Sequence, residues 1–472
     1  MAARGGSSGA NPATAGANGQ QAPAAPDGDA PDGEGATQAP ATQPPRADAT
    51  RIGAMLAEIA RIGADPSGGG VSRLAFTAEE RTAHELVGGW LRDLGLTVRV
   101  DVIGNTIAER PGTIPGAPAI GIGSHLDSVY HGGRFDGIVG VVGAVEMARL
   151  FVETPVVTRH PLRIVAFAGE EGARFGEPTI GSKAVTGHLA NRDLTAMKDA
   201  NGISLAEALR GVGFDPRAVP QARWKASEWA AFLEMHIEQA RVLEQTETPI
   251  GLVDVVSGST RLRVELTGRA DHSGGTPMDF RADALAAAAE VVLAAESLAK
   301  DSRNRGARLT VGRLDVHPNS ITTIPGRVRF TIDVRDVDSD RQRRLAVEIV
   351  RRTRMLADRR GIAVETELIA DTSPVVLPIW IREQSSKVCE ELGIRYRVMT
   401  SGAGHDSQVV NAIVPAGMVF VPSKDGLSHV PGEWTSASDV ARGVEVLFHL
   451  ASRLDALLAS LEGMEAGATS AA

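Results

Sequence analysis

Hydrophobic positions are distributed unevenly along the 472 residues. From Ala2 to Arg51 there is no Val, Leu, Ile, Phe, Trp or Tyr, and the Ala, Gly, Pro, Gln and Asp that fill the stretch cannot bury enough surface to offset the entropy of ordering. Residues 1–50 are therefore expected to be a disordered tail. Beyond it, Ile52, Met55, Leu56, Ile59 and Ile62 recur at helical spacing. Thr77 followed by Glu80 predicts a capping box opening a second helix, which carries Leu86, Trp90, Leu91 and Leu94 and stops at Gly95. Strands are expected over Thr97 to Ile103, Thr106 to Glu109 and Ala119 to Gly123, then a helix from about Ile138 to Phe151 and a buried strand from Leu162 to Phe167. Such alternation predicts an α/β fold with a doubly wound, mostly parallel sheet, whose ligands sit past the carboxyl ends of the strands.

At about Ser257 the pattern changes. Thr260 to Gly268 alternates as a half-buried strand, Asp279 to Leu298 is an alanine-rich helix, Arg308 to Leu314 and Val328 to Val334 read as strands, Asp340 to Arg359 as a helix, and Ile362 to Ile369 as a strand. That βαββαβ order predicts a ferredoxin-like α+β domain. The earlier pattern then resumes with a helix (Ile379 to Leu392), two strands (Arg395 to Met399, Ala416 to Val421) and a long helix (Ser436 to Leu461). The second domain thus reads as an insertion over 257–371 into a domain made of 51–256 and 372–464, followed by a flexible end, 465–472.

Composition narrows the function. Forty-three per cent hydrophobic residues supply a sizeable core. With 49 Lys+Arg against 58 Asp+Glu the net charge is −9, and without a basic run or aromatic-interleaved stripe no nucleic-acid or anionic-membrane partner is expected. The single cysteine, Cys389, excludes an internal disulfide and cysteine ligation of a metal cluster, and fits a reducing compartment. No apolar run approaches the roughly 18 residues of a membrane span, and the N-terminus lacks the basic and apolar segments of a signal peptide. The expected location is cytoplasmic.

The candidate chemistry gathers at strand ends. In Gly121 to Gly140, a buried strand stops on His125, a glycine-rich loop follows, and Asp136 precedes a helix. An imidazole and a hard carboxylate suit Zn²⁺ or Mn²⁺, and Asp127 is close enough to take the other ring N–H of His125. In Ala168 to Gly176, Glu170 and Glu171 point apart from one loop, so one can bind metal while the other shuttles protons. Taken alone, such a pair is usually a solvated acidic patch. His236 and Gln239 lie in Phe232 to Gln239, a strand end or short helix; His405 and His429 stand on later loops. Together His125, Asp136, Glu171, His236 and His429 are five N/O ligands, enough for two metals if one carboxylate bridges. Two such cations about 3.5–4 Å apart can hold a hydroxide and polarise a carbonyl, with Glu170 to take the proton.

The motifs GSHLDSV with GGRFDGIVGV, FAGEEGARFGEPTIGS, EMHIEQ, TGRADHSGGTPMDFRADAL, PNSITTIPG with DVRD, SGAGHD and SKDGLSHVPGEWT resemble the M20 family of metallopeptidases. Within it they resemble the branch of N-carbamoyl-L-amino acid hydrolases, β-ureidopropionases and allantoate amidohydrolases. The resemblance covers about residues 52 to 460. It implies a catalytic domain interrupted by a lid domain that also makes a homodimer, and two divalent ions per subunit (Zn²⁺ or Mn²⁺, with Co²⁺ or Ni²⁺ also accepted). Asp136 would bridge, His125 and His236 completing one metal, Glu171 and His429 the other. Glu170 matches the general base, Asp127 the residue supporting His125, and His272 a histidine by which the partner subunit stabilises the tetrahedral oxyanion. Gln239, Gly404, His405 and Arg335 match substrate-contacting positions, Arg335 gripping a carboxylate as a bidentate fork.

HIEQ points away from dipeptides and acetylated amino acids, since the peptidases of the family generally have an acidic residue where His236 stands. Two departures concern the substrate. Thr322 stands where the branch usually has Asn, and Asn319, read as extended, lies on the opposite face; Ala240-Arg241 replaces a usual Gly-Pro. The expected activity is metal-dependent hydrolysis of the carbamoyl C–N bond of an N-carbamoyl-L-amino acid or a related ureido acid such as allantoate. An aminoacylase or dipeptidase of the same family, or a non-catalytic ureido-acid binder, are the rival readings.

Overall fold

The computed structural model describes the backbone of residues 46–470. Most of the expected tail, residues 1–45, lies outside the described residues, as do residues 471 and 472 of the expected flexible end. In chain order the first half contains α1 (Ala49–Ile59), α2 (Ala78–Asp93), β1 (Thr97–Val100), β2 (Thr106–Arg110), β3 (Ala119–His125), α3 (Ile138–Glu153), β4 (Leu162–Phe167), α4 (Ile180–Thr186), α5 (Leu205–Gly211), β5 (Trp229–Ile237), α6 (Val242–Gln245) and β6 (Ile250–Val256). There follow β7 (Gly258–Thr267), β8 (Asp271–His272), α7 (Ala284–Lys300), β9 (Arg308–His317), β10 (Thr323–Ile324), β11 (Arg327–Asp336), α8 (Ser339–Asp358) and β12 (Ala363–Thr372). Last come β13 (Val375–Val376), α9 (Ile379–Glu391), β14 (Tyr396–Ser401), α10 (Asp406–Val410), β15 (Ala416–Val421) and α11 (Ala437–Ser470).

Nine strands form one mixed sheet, ordered β1-β2-β4-β3-β5-β15-β6-β13 with β14 beside β6. Its centre, β4-β3-β5-β15, is parallel, and antiparallel strands flank it. Alternation along each central strand feeds two cores. Ile122, Ile164 and Met235 pack against α1, α2, α3, α9 and α11, whereas Val165, Phe167, Phe232 and Phe420 meet Trp224, Val185 and Val410 on the other face. Helix α3 is buried on nearly every side, as its almost uniformly apolar sequence requires.

The second sheet is antiparallel, ordered β12-β7-β11-β9, and reproduces the expected βαββαβ succession. Leu262, Val264, Phe330 and Ile332 face α7 and α8 in a core of their own, while the opposite face carries charged residues. Strands β8 and β10 make a separate two-stranded ribbon.

Several sequence-based boundaries shift, each for a visible reason. Order begins before residue 51: Asp48 caps α1 by accepting from Thr50 N and Arg51 N. The strand expected over Thr97 to Ile103 ends at Val100, because Asp101 Oδ1 accepts from the N–H groups of Ile103, Gly104 and Asn105 and closes a turn. The capping box at Thr77 is half made: Thr77 Oγ1 accepts from Glu80 N, but the Glu80 carboxylate reaches Phe76 N and Gly169 N instead. Asp283 caps α7, so that helix starts five residues after Asp279. Strand β6 has no counterpart in the sequence reading. Asn319, at φ 54°, lies in the loop between β9 and β10, so strand alternation does not assign it a face. Helix α11 continues to Ser470, into the stretch expected to be flexible. Among the described residues, no helix is long and apolar enough to cross a membrane.

Glu146 is the polar exception inside α3. Its wholly buried carboxylate accepts from Asp48 N at 2.9 Å and from Arg51 Nη2 at 2.8 Å, so one buried charge fixes the start of the ordered chain to the core helix. Glu146→Gln keeps the shape but weakens a charge-assisted contact, and is expected to lower stability by about 1–3 kcal/mol. Denaturant unfolding reads the loss, and hydrogen exchange is expected to accelerate first in α1.

Candidate active site

Strands β3, β4 and β5 run parallel and end together, delivering His125, the Gly169–Glu171 turn and His236 to one edge of the sheet. Both imidazoles are oriented from behind. His125 Nδ1 lies 3.3 Å from Asp127 O, and His236 Nδ1 lies 3.0 Å from Ile237 O. A ring N–H donated to a carbonyl leaves the Nε2 lone pair facing forward. For His236 the Gly137 N–H, 3.2 Å from Nε2, fixes the same tautomer. Gly137 sits at φ 70°, and a Cβ there would lie 2.4 Å from the His125 ring, so only glycine lets the loop pass.

Asp136 is where the donors meet. Its Oδ1 is 3.0 Å from His236 Nε2 and 3.7 Å from His125 Nε2; its Oδ2 is 3.3 Å from His429 Nε2. Glu171 Oε2 stands 3.1 Å from the same His429 nitrogen. Of three groups with the spacing to hold a cation, two share Asp136, His125–Asp136–His236 and Asp136–Glu171–His429; the third is Glu234–His236–His405. The donors are imidazole nitrogens and carboxylate oxygens with no thiolate, which fits borderline-hard divalent cations. All five residues read from the sequence as metal ligands are thus brought together.

The adjacent glutamates separate as expected. Glu171 joins His429, while Glu170 lies with its Oε2 3.8 Å from His125 Nε2. Their backbone is set by carboxylates: Glu80 Oε1 accepts from Gly169 N at 2.8 Å, Asp127 Oδ1 from Glu170 N at 2.8 Å, and Asp127 Oδ2 from Glu171 N at 3.0 Å. Asp127 therefore does more than the sequence suggested. Its carboxylate stands 3.4 Å from His125 Nδ1 and makes its shorter contacts to the glutamate turn.

Burial and charge set the protonation. Burial raises Glu170 well above the usual carboxylate range, against the pull of His125 and with help from Asp406, Glu171 and Asp127. Burial also opposes a charge on His429, but hydrogen bonds to Asp136 and Glu171 push it up to about 11. Asp136 goes the other way: burial would raise it, yet His236 and its other histidine neighbours hold it well below the ordinary range.

A cavity of about 400 Å³ opens in front of the cluster, with Gln239, Arg335 and Gly404 in its wall beside Asp136, Glu170 and His429. Gln239, at φ 56°, donates through Nε2 to Asp136 Oδ2 at 2.6 Å. Arg335 donates through Nε to Asp333 Oδ2 at 2.9 Å and through Nη1 to Gly402 O at 3.1 Å. His405 is buried behind His236, ring centroids 4.6 Å apart, with its Nε2 2.7 Å from Ser401 Oγ; its neighbour Gly404 supplies the wall. His272, on β8, and Thr322, in the turn just before β10, lie elsewhere, and there Ser273 N donates to Thr322 O. His272 Nδ1 accepts from Gly274 N and Gly275 N, so its exposed Nε2 carries the hydrogen.

The sequence reading missed three supports. Glu433 is buried and accepts from Phe135 N, Asp136 N and His429 N, joining the two loops that carry metal-ligand candidates. Ser428 Oγ donates to Asp136 Oδ2 at 2.6 Å. Glu80 was read as a helix cap. The first two lie inside the Gly426 to Glu433 motif, but nothing about a glutamate on a polar loop announces its burial.

Residues 121–453 match peptidase family M20/M25/M40. The N-carbamoyl-L-amino acid amidohydrolase of Geobacillus stearothermophilus is 42% identical over 400 residues, 84% of this chain and 97% of that one. The allantoate amidohydrolase of Bacillus subtilis (strain 168) is 34% identical over 396 residues, 84% of this chain and 95% of that one. The crystal structure of a hydantoinase/carbamoylase-family amidase from Burkholderia vietnamiensis, 34% identical, superposes with a TM-score of 0.80 over 87% of this chain and 98% of that one. With parallel strands delivering a histidine and carboxylate cluster to a sheet edge, and with relatives of this kind along its length, the chain belongs to peptidase family M20/M25/M40, among the hydrolases of carbon–nitrogen bonds other than peptide bonds.

Proposed function

We propose that the protein hydrolyses the carbamoyl C–N bond of an N-carbamoyl-L-amino acid or a related ureido acid such as allantoate. The observation that carries this is the shared carboxylate: Asp136 gives one oxygen to His125 and His236 and the other to the His429–Glu171 side, and Glu170 is left beside them with a raised proton affinity. His125, His236, Asp136, Glu171 and His429 would hold two divalent cations, which when bound supply Lewis acidity to water and to the carbonyl oxygen. The chain's own groups do the rest. Glu170 takes a proton from the attacking water and returns it to the leaving nitrogen, a role suited to a carboxyl whose affinity for protons has been raised by burial. Asp127 holds the Glu170 backbone so that this carboxylate keeps its place.

Arg335, on β11, faces the cavity from the second sheet and grips the substrate carboxylate. Residues 257–371 act as the lid and dimerisation domain, and 51–256 with 372–464 as the catalytic domain. In this reading His272, which lies outside the cavity wall of its own chain, enters the site of a partner subunit and donates its Nε2–H to the developing oxyanion, while Thr322, just before the adjoining strand β10, contacts the same substrate. A substrate that keeps the ureido group and carboxylate but differs beside the carboxylate would suit Thr322.

Ammonia release from metal-reconstituted protein, with allantoate, N-carbamoyl-β-alanine and a panel of N-carbamoyl-L-α-amino acids, tests the reaction. Turnover of at least one is expected; faster cleavage of acetylated amino acids or dipeptides would overturn the reading. Glu170→Gln is expected to lower kcat about a thousandfold while two metals stay bound, read by elemental analysis. His272→Asn is expected to cost about a hundredfold in kcat, and mixing it with Glu170→Gln subunits restores part of the activity if each site draws on both chains. Because His429 is held protonated up to about 11 in the cluster, a cation must displace protons to bind. Metal affinity is therefore expected to weaken as pH falls from 8 to 6, with proton release seen by calorimetry in buffers of different ionisation enthalpy.

A further inference from the structure

Charges on the open face of the four-stranded sheet are paired along most of its length: Arg263 with Glu367, Arg329 with Glu265, Arg313 with Asp315. The end that meets the cavity is different. Arg335 on β11 is directly opposite Arg308 on β9, and two residues along, Asp333 is opposite Arg261 on β7. Asp333 is the one carboxylate among these three guanidinium groups. Its Oδ1 accepts from Ser259 Oγ and its Oδ2 from Arg335 Nε, while Arg261 Nε stays 3.9 Å from Oδ2. Arg308 makes no ion pair among the described residues, and its Nη1 comes within 2.9 Å of where a Cβ on Gly402 would stand, beside the carbonyl to which Arg335 donates. Like charges directly opposite in a sheet destabilise it.

A second cavity of about 1020 Å³ adjoins the first and shares Gln239, Arg261, Arg335 and His429 in its wall, to which it adds Arg308. The other carboxylate in that wall, Glu238, accepts from the N–H groups of Val242 and Leu243. Arg308, with no ion pair among the described residues, and Arg261, at the far limit of its pair with Asp333, thus stand beside the guanidinium that serves the α-carboxylate.

We infer that Arg308, supported by Arg261, forms a second anion-binding subsite, so that the preferred substrate is a ureido dicarboxylate, an N-carbamoyl amino acid whose side chain ends in its own carboxylate. This rests on the reading of the site as a carbamoyl amidohydrolase. A guanidinium fork meets a carboxylate with two parallel N–H donors, and a neutral amide of the same shape cannot replace that charge.

The test compares near-isosteric pairs on the metal-reconstituted full chain: N-carbamoyl-L-glutamate against N-carbamoyl-L-glutamine, and the aspartate and asparagine counterparts. At least one acid is expected to exceed its amide in kcat/KM by about tenfold or more. That acid-to-amide ratio is expected to collapse in Arg308→Gln and to survive in part in Arg308→Lys, with thermal unfolding confirming that the variants fold. The same pairs are titrated by calorimetry into Glu170→Gln protein, where binding is read without turnover. Ratios near one in the native protein, or ratios untouched by Arg308→Gln, overturn the subsite even where the amides are hydrolysed. Absence of turnover for every ureido acid, with the acids still bound about tenfold more tightly through Arg308, would overturn the reaction and leave the subsite standing. Failure of the acids to bind more tightly than the amides in that titration overturns the subsite as well.

Discussion

A carboxylate has two oxygens, and in this protein the arrangement of the site follows from how Asp136 uses them. Oδ1 faces the two imidazoles held by β3 and β5; Oδ2 faces His429 and receives hydrogen bonds from Gln239 and Ser428. To sit there, Asp136 must leave a loop that passes almost in contact with the His125 ring, which Gly137 makes possible. It must also be met by a second loop arriving from the other end of the chain, and Glu433 secures that meeting by accepting N–H groups from both loops. The sheet supplies the common edge, and buried carboxylates supply the alignment.

Backbone amides oriented by carboxylates recur around this edge. Glu80 and Asp127 together accept three successive N–H groups of the turn from Gly169 to Glu171. Glu234 accepts from Ser124 Oγ and from Ser407 N, joining β3 to the start of α10. An acceptor with two oxygens can bind two donors from different elements at once, which a neutral hydroxyl does less strongly. The cost is desolvation: Glu80 is raised to about 8, first by burial and then by the neighbouring charge of Asp127.

What was legible in the sequence follows from which signals are local. The central strands and α3 announce themselves because they are buried on both sides and read as continuous apolar runs. His125, Asp136, Glu171, His236 and His429 could be picked out because side chains suited to metals stood at strand ends and on loops, and because the motifs around them resemble a known family. Strand β6 was not anticipated, since Asp254 interrupts its apolar run. Glu433 and Glu80 were misjudged for a different reason: a glutamate's burial is decided by elements distant in sequence, Glu433 lying 298 residues from Phe135. Residues such as His272 and Thr322 were named by resemblance, while their position beside one another, on and next to a ribbon away from the cavity wall, became visible only in three dimensions.

The two sheets line the space between them with different groups. Carboxylates Asp136, Glu170 and Glu171 stand at the edge of the nine-stranded sheet, and guanidinium groups Arg261, Arg308 and Arg335 at the end of the four-stranded one. A solute with its charge at one end experiences a torque on entering such a gap, before it makes any contact, because the arginine wall draws its negative end. A zwitterion-like or end-charged solute is therefore turned during its approach, its negative end drawn to one sheet and its neutral end left facing the other. The division of the chain into two sheets thus acts as a compass, setting the direction in which a small polar molecule arrives.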